Sequence, residues 1–429
     1  MLNRTIAPTF KTIDRIDVMQ VTESRLNNNI PLFTLLAGSQ EIVKIEFIFK
    51  AGMFYQPKTL IASGTNALLE TGTKSFTANQ ISDGIDFYGS FLELQVDQDF
   101  ASVTLFTLNK YLDNSLKFLE EVIKCPTFPE DEFKIHYANK KQKHVINSQK
   151  VSVLARRKFS QILFGQQHPY GVDVMENDFE RVSINELKLF FEEHYHSANC
   201  SIIASGHLPN NLLDTLNTYF GGNDWKRSSL QVANTNSLIK IETSTEQKHL
   251  IVKDDAIQSA IRIGRVLFNK THPDYFKFQV LNTILGGYFG SRLMANIRED
   301  KGFTYGIGSG LNNMVNAGYF YISTEVGADV TSQALAEIYK ELHLLRTKLV
   351  SDNELETVRN YILGHFLRSV DGPFALSDKF KAIWEFNLDY TFYENYFAAV
   401  KLVTAKEIRD LANNYLQEKD LLECVVGKI

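Results

Sequence analysis

Cysteine is scarce in this sequence: Cys125, Cys200 and Cys424 are the only three in 429 residues, far apart and without CxxC spacing. That excludes a disulfide framework and a cysteine zinc knuckle, and reads as isolated thiols of a reducing compartment. No apolar run is long enough to span a bilayer, so no membrane span is expected. The first eighteen residues, MLNRTIAPTFKTIDRIDV, hold no apolar core of signal-peptide length. The expected location is therefore cytoplasmic, or periplasmic if an export signal has been removed. Blocks of one charge are missing too. The 45 basic and 50 acidic side chains are mixed along the chain for a formal net charge of -5, which argues against nucleic acid as a partner. The glycine-rich LGGYFGSR (285–292) lacks GK[ST], so its glycines read as a helix stop and close backbone packing, with no phosphate loop. What is present is ordinary globular composition, 44% hydrophobic and 22% charged, at a length that suits two domains.

The chain repeats itself at an offset of roughly 217 residues. The strand-like IVKIEFIF (42–49) is echoed by SAIRIGRVL (259–267). Each is followed by a proline (Pro57, Pro273) and a helical stretch with a glycine stop, NALLETG (66–72) or LNTILGG (281–287). A second helical pattern follows (78–87, 291–300), then a strand pair: FLELQV with SVTLFTL, and TYGIGSGL with GYFYIST. Long amphipathic helices come next, at 112–124 and 332–348, the latter burying one face through Ala334, Leu335, Ile338, Leu342 and Leu345. Strands and helices mix without strict βαβ alternation, which predicts an α+β fold with mainly antiparallel sheets packed with helices. The Gly/Asn/Ser-rich stretch 221–235 marks the boundary, giving an N-terminal domain 1–228 and a homologous C-terminal domain 229–429. Chemistry is expected at the interface of the halves.

The segment LNTILGGYFGSRLMANIREDKGFTYGIGSG (281–310) resembles, nearly throughout, a characteristic segment of the pitrilysin/insulinase-type zinc peptidases. Their mitochondrial-processing-peptidase-like branch is the nearest in pattern. FFEEHYHSANCSIIASGHL (190–208), HPYG (168–171), VTAKEIRDLANNYL (403–416) and the terminal VVG (425–427) support the resemblance in order and spacing. It implies two homologous domains of the LuxS/processing-peptidase-like metallohydrolase fold.

Active members of that family carry HxxEH, two imidazoles one helical turn apart gripping Zn²⁺ and a glutamate activating the metal-bound water. GTK (72–74) matches the end of that motif, and counting back puts Ser63 and Ala67 at the histidine positions and Asn66 at the glutamate. A further glutamate about 76 residues on completes the family's coordination; here KQKHVINSQK (141–150) offers no carboxylate. A hydroxyl, a methyl and an amide cannot replace these groups. The resemblance therefore implies an inactive homologue with no metal and no cofactor of its own. Proteolysis would need an HxxEH-bearing homologous subunit, in a heterodimer, to supply the zinc and act on a peptide substrate. The family's Arg and Tyr that face the zinc across the cleft match Arg298 and Tyr305, which would act in trans on substrate backbone and oxyanion. The strand Phe91, Leu92, Glu93, Leu94, Gln95, Val96 corresponds to the cleft edge strand on which relatives add a peptide.

Two other readings stand beside this one. The chain could be a structural core-type scaffold subunit with no part in proteolysis, or a peptidase with unrecognised metal ligands. The bland alternative for Arg298 is a surface pair with Glu299 or Asp300, and for Tyr305 a half-buried strand aromatic. His194 and His196 of EEHYH, read as one side of a strand, are expected to be structural, and His144 to be solvated or hydrogen-bonded.

Overall fold

The computed structural model describes residue 13 and residues 16–225 and 239–429. The boundary expected at 228/229 lies outside the described residues. On either side of it stand two mixed sheets. The first holds β1 (Thr22–Arg25), β2 (Pro31–Leu36), β3 (Ile42–Phe49), β4 (Phe91–Val96), β5 (Ala101–Leu108) and β6 (Cys200–Gly206), in the order β1-β2-β6-β3-β5-β4. The second holds β7 (Lys248–Val252), β8 (Gln258–Leu267), β9 (Thr304–Met314), β10 (Ala317–Gly327) and β11 (Leu422–Gly427), in the order β7-β11-β8-β10-β9. From β2 onward the two orders coincide, and so does the sense of every pairing. β2 and β7 run parallel to β6 and β11, and all other neighbours are antiparallel. The architecture is α+β, as the element pattern predicts.

Local chemistry repeats with the topology. The helices Ile184–His194 and Ala405–Tyr415 occupy equivalent places before β6 and β11. Each opens on a capping box, Ser183 with Glu186 and Thr404 with Glu407, in which two orphan N–H groups are satisfied reciprocally. The paired amphipathic helices run 112–124 and 331–347, within a residue of the sequence reading.

Each half sends one helix onto the sheet of the other. Phe159, Ile162 and Leu163 of the Val151–Phe164 helix pack against Ala260 of β8 and Leu422, Cys424 and Val426 of β11. In return, Phe380 and Trp384 of the Pro373–Trp384 helix cover Phe33, Ile48 and Ile203 of the first sheet. This explains β3, whose alternation is IVKIEFIF. Val43, Ile45, Phe47 and Phe49 point into the first half's own core. Lys44 and Glu46, on the opposite face, are 8% and 4% exposed and are satisfied by the incoming helix: Lys44 pairs with Asp378 at 2.6 Å and Glu46 with Lys381 at 2.5 Å. Buried charges survive only when paired. The halves also meet at their hairpin tips. Asp99, between β4 and β5, accepts from the Val315 N–H at 2.9 Å and from the Tyr170 hydroxyl, while the Asn316 N–H donates to that hydroxyl oxygen at 3.3 Å. The HPYG segment thus serves this joint.

Candidate functional site

The helix that would carry a zinc motif spans Ile61–Ala67. Leu60 before it adopts a left-handed φ of 74°, an uncommon conformation for a bulky residue and one that costs free energy. Gly64 is required here, since a Cβ would stand 2.0 Å from the Tyr137 hydroxyl. That close approach seats the Glu130–Asn147 helix, whose Tyr137 donates to the Leu60 carbonyl at 3.1 Å. One turn further along the same face, the Lys140 ammonium donates to Ser63 Oγ at 2.6 Å. A lysine therefore stands against Ser63, the first of the two positions at which the sequence resemblance expects a histidine. Burial pulls its pKa down to about 8, because desolvation disfavours the charged form.

The other two positions are equally changed. Asn66 is buried, its amide donating to the Ser102 carbonyl at 3.3 Å and to the Tyr195 hydroxyl at 3.2 Å. Held this way it braces β5 and the Ile184–His194 helix, and an amide cannot take a proton from water. Ala67 offers no donor atom. His144 and Asn147 continue the Lys140 face and line the same cavity, which has a volume of about 660 Å³ and is closed on the far side by Asn312 and Tyr319 of the second half. Sequence counting pointed to 141–150 for the missing ligand and passed over Lys140. The 3/4 spacing of Tyr137, Lys140, His144 and Asn147 was the available signal.

The edge strand β4 is hydrogen-bonded to β5 alone among the described strands. Leu92, Glu93 and Leu94 are half-buried, while Phe91 and Gln95 are exposed. A groove of about 400 Å³ runs beside its start, lined by Glu70, Ile81, Ile85, Phe91 and Leu92. Val96, at the strand's other end, lines the 660 Å³ cavity.

In the second half, the equivalent helical stretch opens into π-helix at 283–287 and again at 294–300, a geometry found frequently at functional sites. Gly286 lets the first of these lie on β9, where a Cβ would stand 2.6 Å from the Ser309 nitrogen. Arg298, in the second, places its guanidinium 4.6 Å over the Phe289 ring. It makes no ion pair with Glu299 or Asp300; Asp300 pairs with Lys301 at 2.8 Å. Tyr305, on the edge strand β9, is 93% exposed and not the half-buried strand aromatic of the bland alternative. The histidines of EEHYH need a correction: His194 ends a helix and His196 lies in the following turn, neither on a strand. Helix continuation through EEH outlasts the β-like HYH pattern. No group of three or more His, Cys, Asp or Glu able to hold a metal occurs among the described residues.

Two sheets of repeated topology exchange helices, and Ser63, Asn66 and Ala67 share one short helix of the first half. Residues 181–362 match the family model described as the peptidase M16 inactive domain. Among curated proteins, the chain is 22% identical over 371 residues to "Non-peptidase homolog YmxG" of Helicobacter pylori, covering 84% of this chain and 82% of that one. It is likewise 22% identical over 308 residues to "Uncharacterized zinc protease YmxG" of Bacillus subtilis, 70% and 72% covered. A crystal structure of a peptidase M16 inactive domain from Pseudomonas fluorescens superposes with a TM-score of 0.84 at 21% identity, covering 96% of this chain and 99% of that one. Over most of its length the chain is thus similar to M16-type, pitrilysin/insulinase-like peptidase homologues, and residues 181–362 carry the match to the inactive domain of that family.

Proposed function

We propose that this chain is the non-catalytic, substrate-binding subunit of a two-subunit zinc peptidase, lending Arg298 and Tyr305 to the zinc site of an HxxEH-bearing homologous partner. The observation that carries the reading is the contrast between the two sites. Ser63, Asn66 and Ala67 are tied up in or removed from chemistry, while Tyr305 stays 93% exposed with no packing role in its own chain. A large aromatic held out on an edge strand is available to a second molecule. In a closed chamber formed with the partner, the phenol would donate to the oxyanion of the tetrahedral intermediate and Arg298 would hold peptide carbonyls. The residues 91–96 of β4, with their free edge and adjoining groove, would take the peptide as an added strand.

The test is turnover of the reconstituted pair. Tyr305→Phe should lower turnover by roughly 10²–10³, as loss of one oxyanion donor does, with complex formation unchanged. Arg298→Ala should raise KM as well, because it removes backbone binding. Intact assembly with undiminished turnover in both variants would favour the scaffold role instead.

A further inference from the structure

The cavity beside Ser63, where the sequence resemblance would place a zinc ligand, is lined by cationic side chains. A metal site presents anionic and neutral ligands to a cation; this wall presents Lys140, Arg156 and Arg157. Arg157 is already committed to Asp173, Ser148 and the Val174 carbonyl, so the cavity's one lining carboxylate is spent on it. Lys140 has three N–H donors and one acceptor, Ser63 Oγ; Arg156 makes no ion pair among the described residues and lies exposed along the wall. Two cationic groups without carboxylates therefore face about 660 Å³ of space, within the range of small-molecule and peptide-end sites. Leu60, Val153 and Val174 supply apolar walls, and Val96 brings in the end of β4.

We propose that this cavity binds a carboxylate of a peptide, with Lys140 and Arg156 as its cationic partners and the apolar walls receiving a neighbouring side chain. The inference concerns the chain alone and needs no partner subunit. Burying an ammonium costs free energy, and an anion in the cavity would offset that cost. A binding role accounts for a half-buried lysine at a place where a neutral side chain would escape that desolvation cost. Near pH 7 most of the Lys140 amine is still charged, since its pKa lies at about 8.

The experiment is fluorescence anisotropy of the full chain with a fluorescein-labelled peptide ending in leucine, as free acid and as C-terminal amide, each with an internal Glu or Gln. The free-acid peptide should bind, and Lys140→Met should weaken it about tenfold or more, the usual worth of one charge-assisted hydrogen bond. Arg156→Gln should weaken it less, and Lys140→Arg should retain binding, which separates lost charge from lost fold. Loss on amidation assigns the α-carboxylate, and loss on Glu→Gln assigns a side-chain carboxylate; either supports the proposal. It is overturned if wild-type chain ignores the carboxylate-bearing peptides, if amide and Gln forms bind equally well, or if Lys140→Met keeps its secondary structure and full affinity. Turnover with a partner plays no part in the readout, so failure here leaves the Tyr305 experiment standing on its own.

Discussion

The two halves share a sheet topology and differ in how each receives the other's helix. On the second sheet the incoming Val151–Phe164 helix is held by apolar contacts, Phe159, Ile162 and Leu163 on Leu422, Cys424 and Val426. On the first, the Pro373–Trp384 helix adds a charged ladder to its aromatics: Asp378, Lys44, Glu46, Lys381 and Glu385, with Ser377 accepting from Ser205 at 3.1 Å. The same asymmetry marks the segment after the central strand. In the first half it is a short regular helix locked down by Tyr137, Lys140, Tyr195 and Ser102; in the second it opens into π-helix and leaves Tyr305 in solvent. The hydrogen-bonded frame is common to both halves, because every strand needs its neighbours. The side chains around it differ between the halves.

Breaking either junction should have the largest effect. Glu46→Ala leaves the Lys381 ammonium with only Glu385 among the described residues, at 4.0 Å, in a largely buried place and should cost about 2–4 kcal/mol; Phe159→Ala opens a cavity in the apolar junction at a cost of about 3–5 kcal/mol. Urea denaturation measures both. A loss under about 1 kcal/mol at one of them would mean that junction is not a determinant of stability.

The next effect has the opposite sign. Burial pulls the Lys140 pKa down to about 8 in the folded chain, from the ordinary lysine value of 10.5. Burying its charge therefore destabilises the fold in full below pH 8, and the penalty fades as pH rises from 8 to 10.5. Lys140→Met should raise stability at pH 7 by about 1–3 kcal/mol and by little above pH 10.5. Thermal unfolding across that range checks it, and a destabilised variant at pH 7 would show that the Ser63 hydrogen bond outweighs desolvation. Smallest of all should be Tyr305→Phe, within about 0.5 kcal/mol, as expected of an exposed side chain. A larger drop in melting temperature would tie Tyr305 to its own chain's fold.

The frame was legible in the sequence because its signals are local. Repeated strand pairs and glycine stops each act within a few residues, and the LGG-to-IRE segment carried the family resemblance. The helix exchange was not read, although β3 carried a clue: Lys44 and Glu46 at period two in an otherwise apolar strand demand charged partners on that face. Those partners lie more than 330 residues away in sequence, and no periodicity points to them. The sequence pointed to Ser63, Asn66 and Ala67 as the positions to inspect; the partners of Ser63 and Asn66 were not legible there. Which residue of the Glu130–Asn147 helix meets Ser63 depends on how closely Tyr137 approaches Gly64, and a residue count along the chain does not contain that distance.

On the proposed reading, Ser63, Asn66 and Ala67 with Lys140 leave this chain unable to hold zinc, and a partner chain supplies it. Metal analysis of the purified chain tests it most directly. The account predicts zinc well below one per chain, both as isolated and after incubation with excess zinc and desalting, with no peptide cleavage in either state. About one zinc per chain, lost together with peptidase activity on chelation, would contradict it.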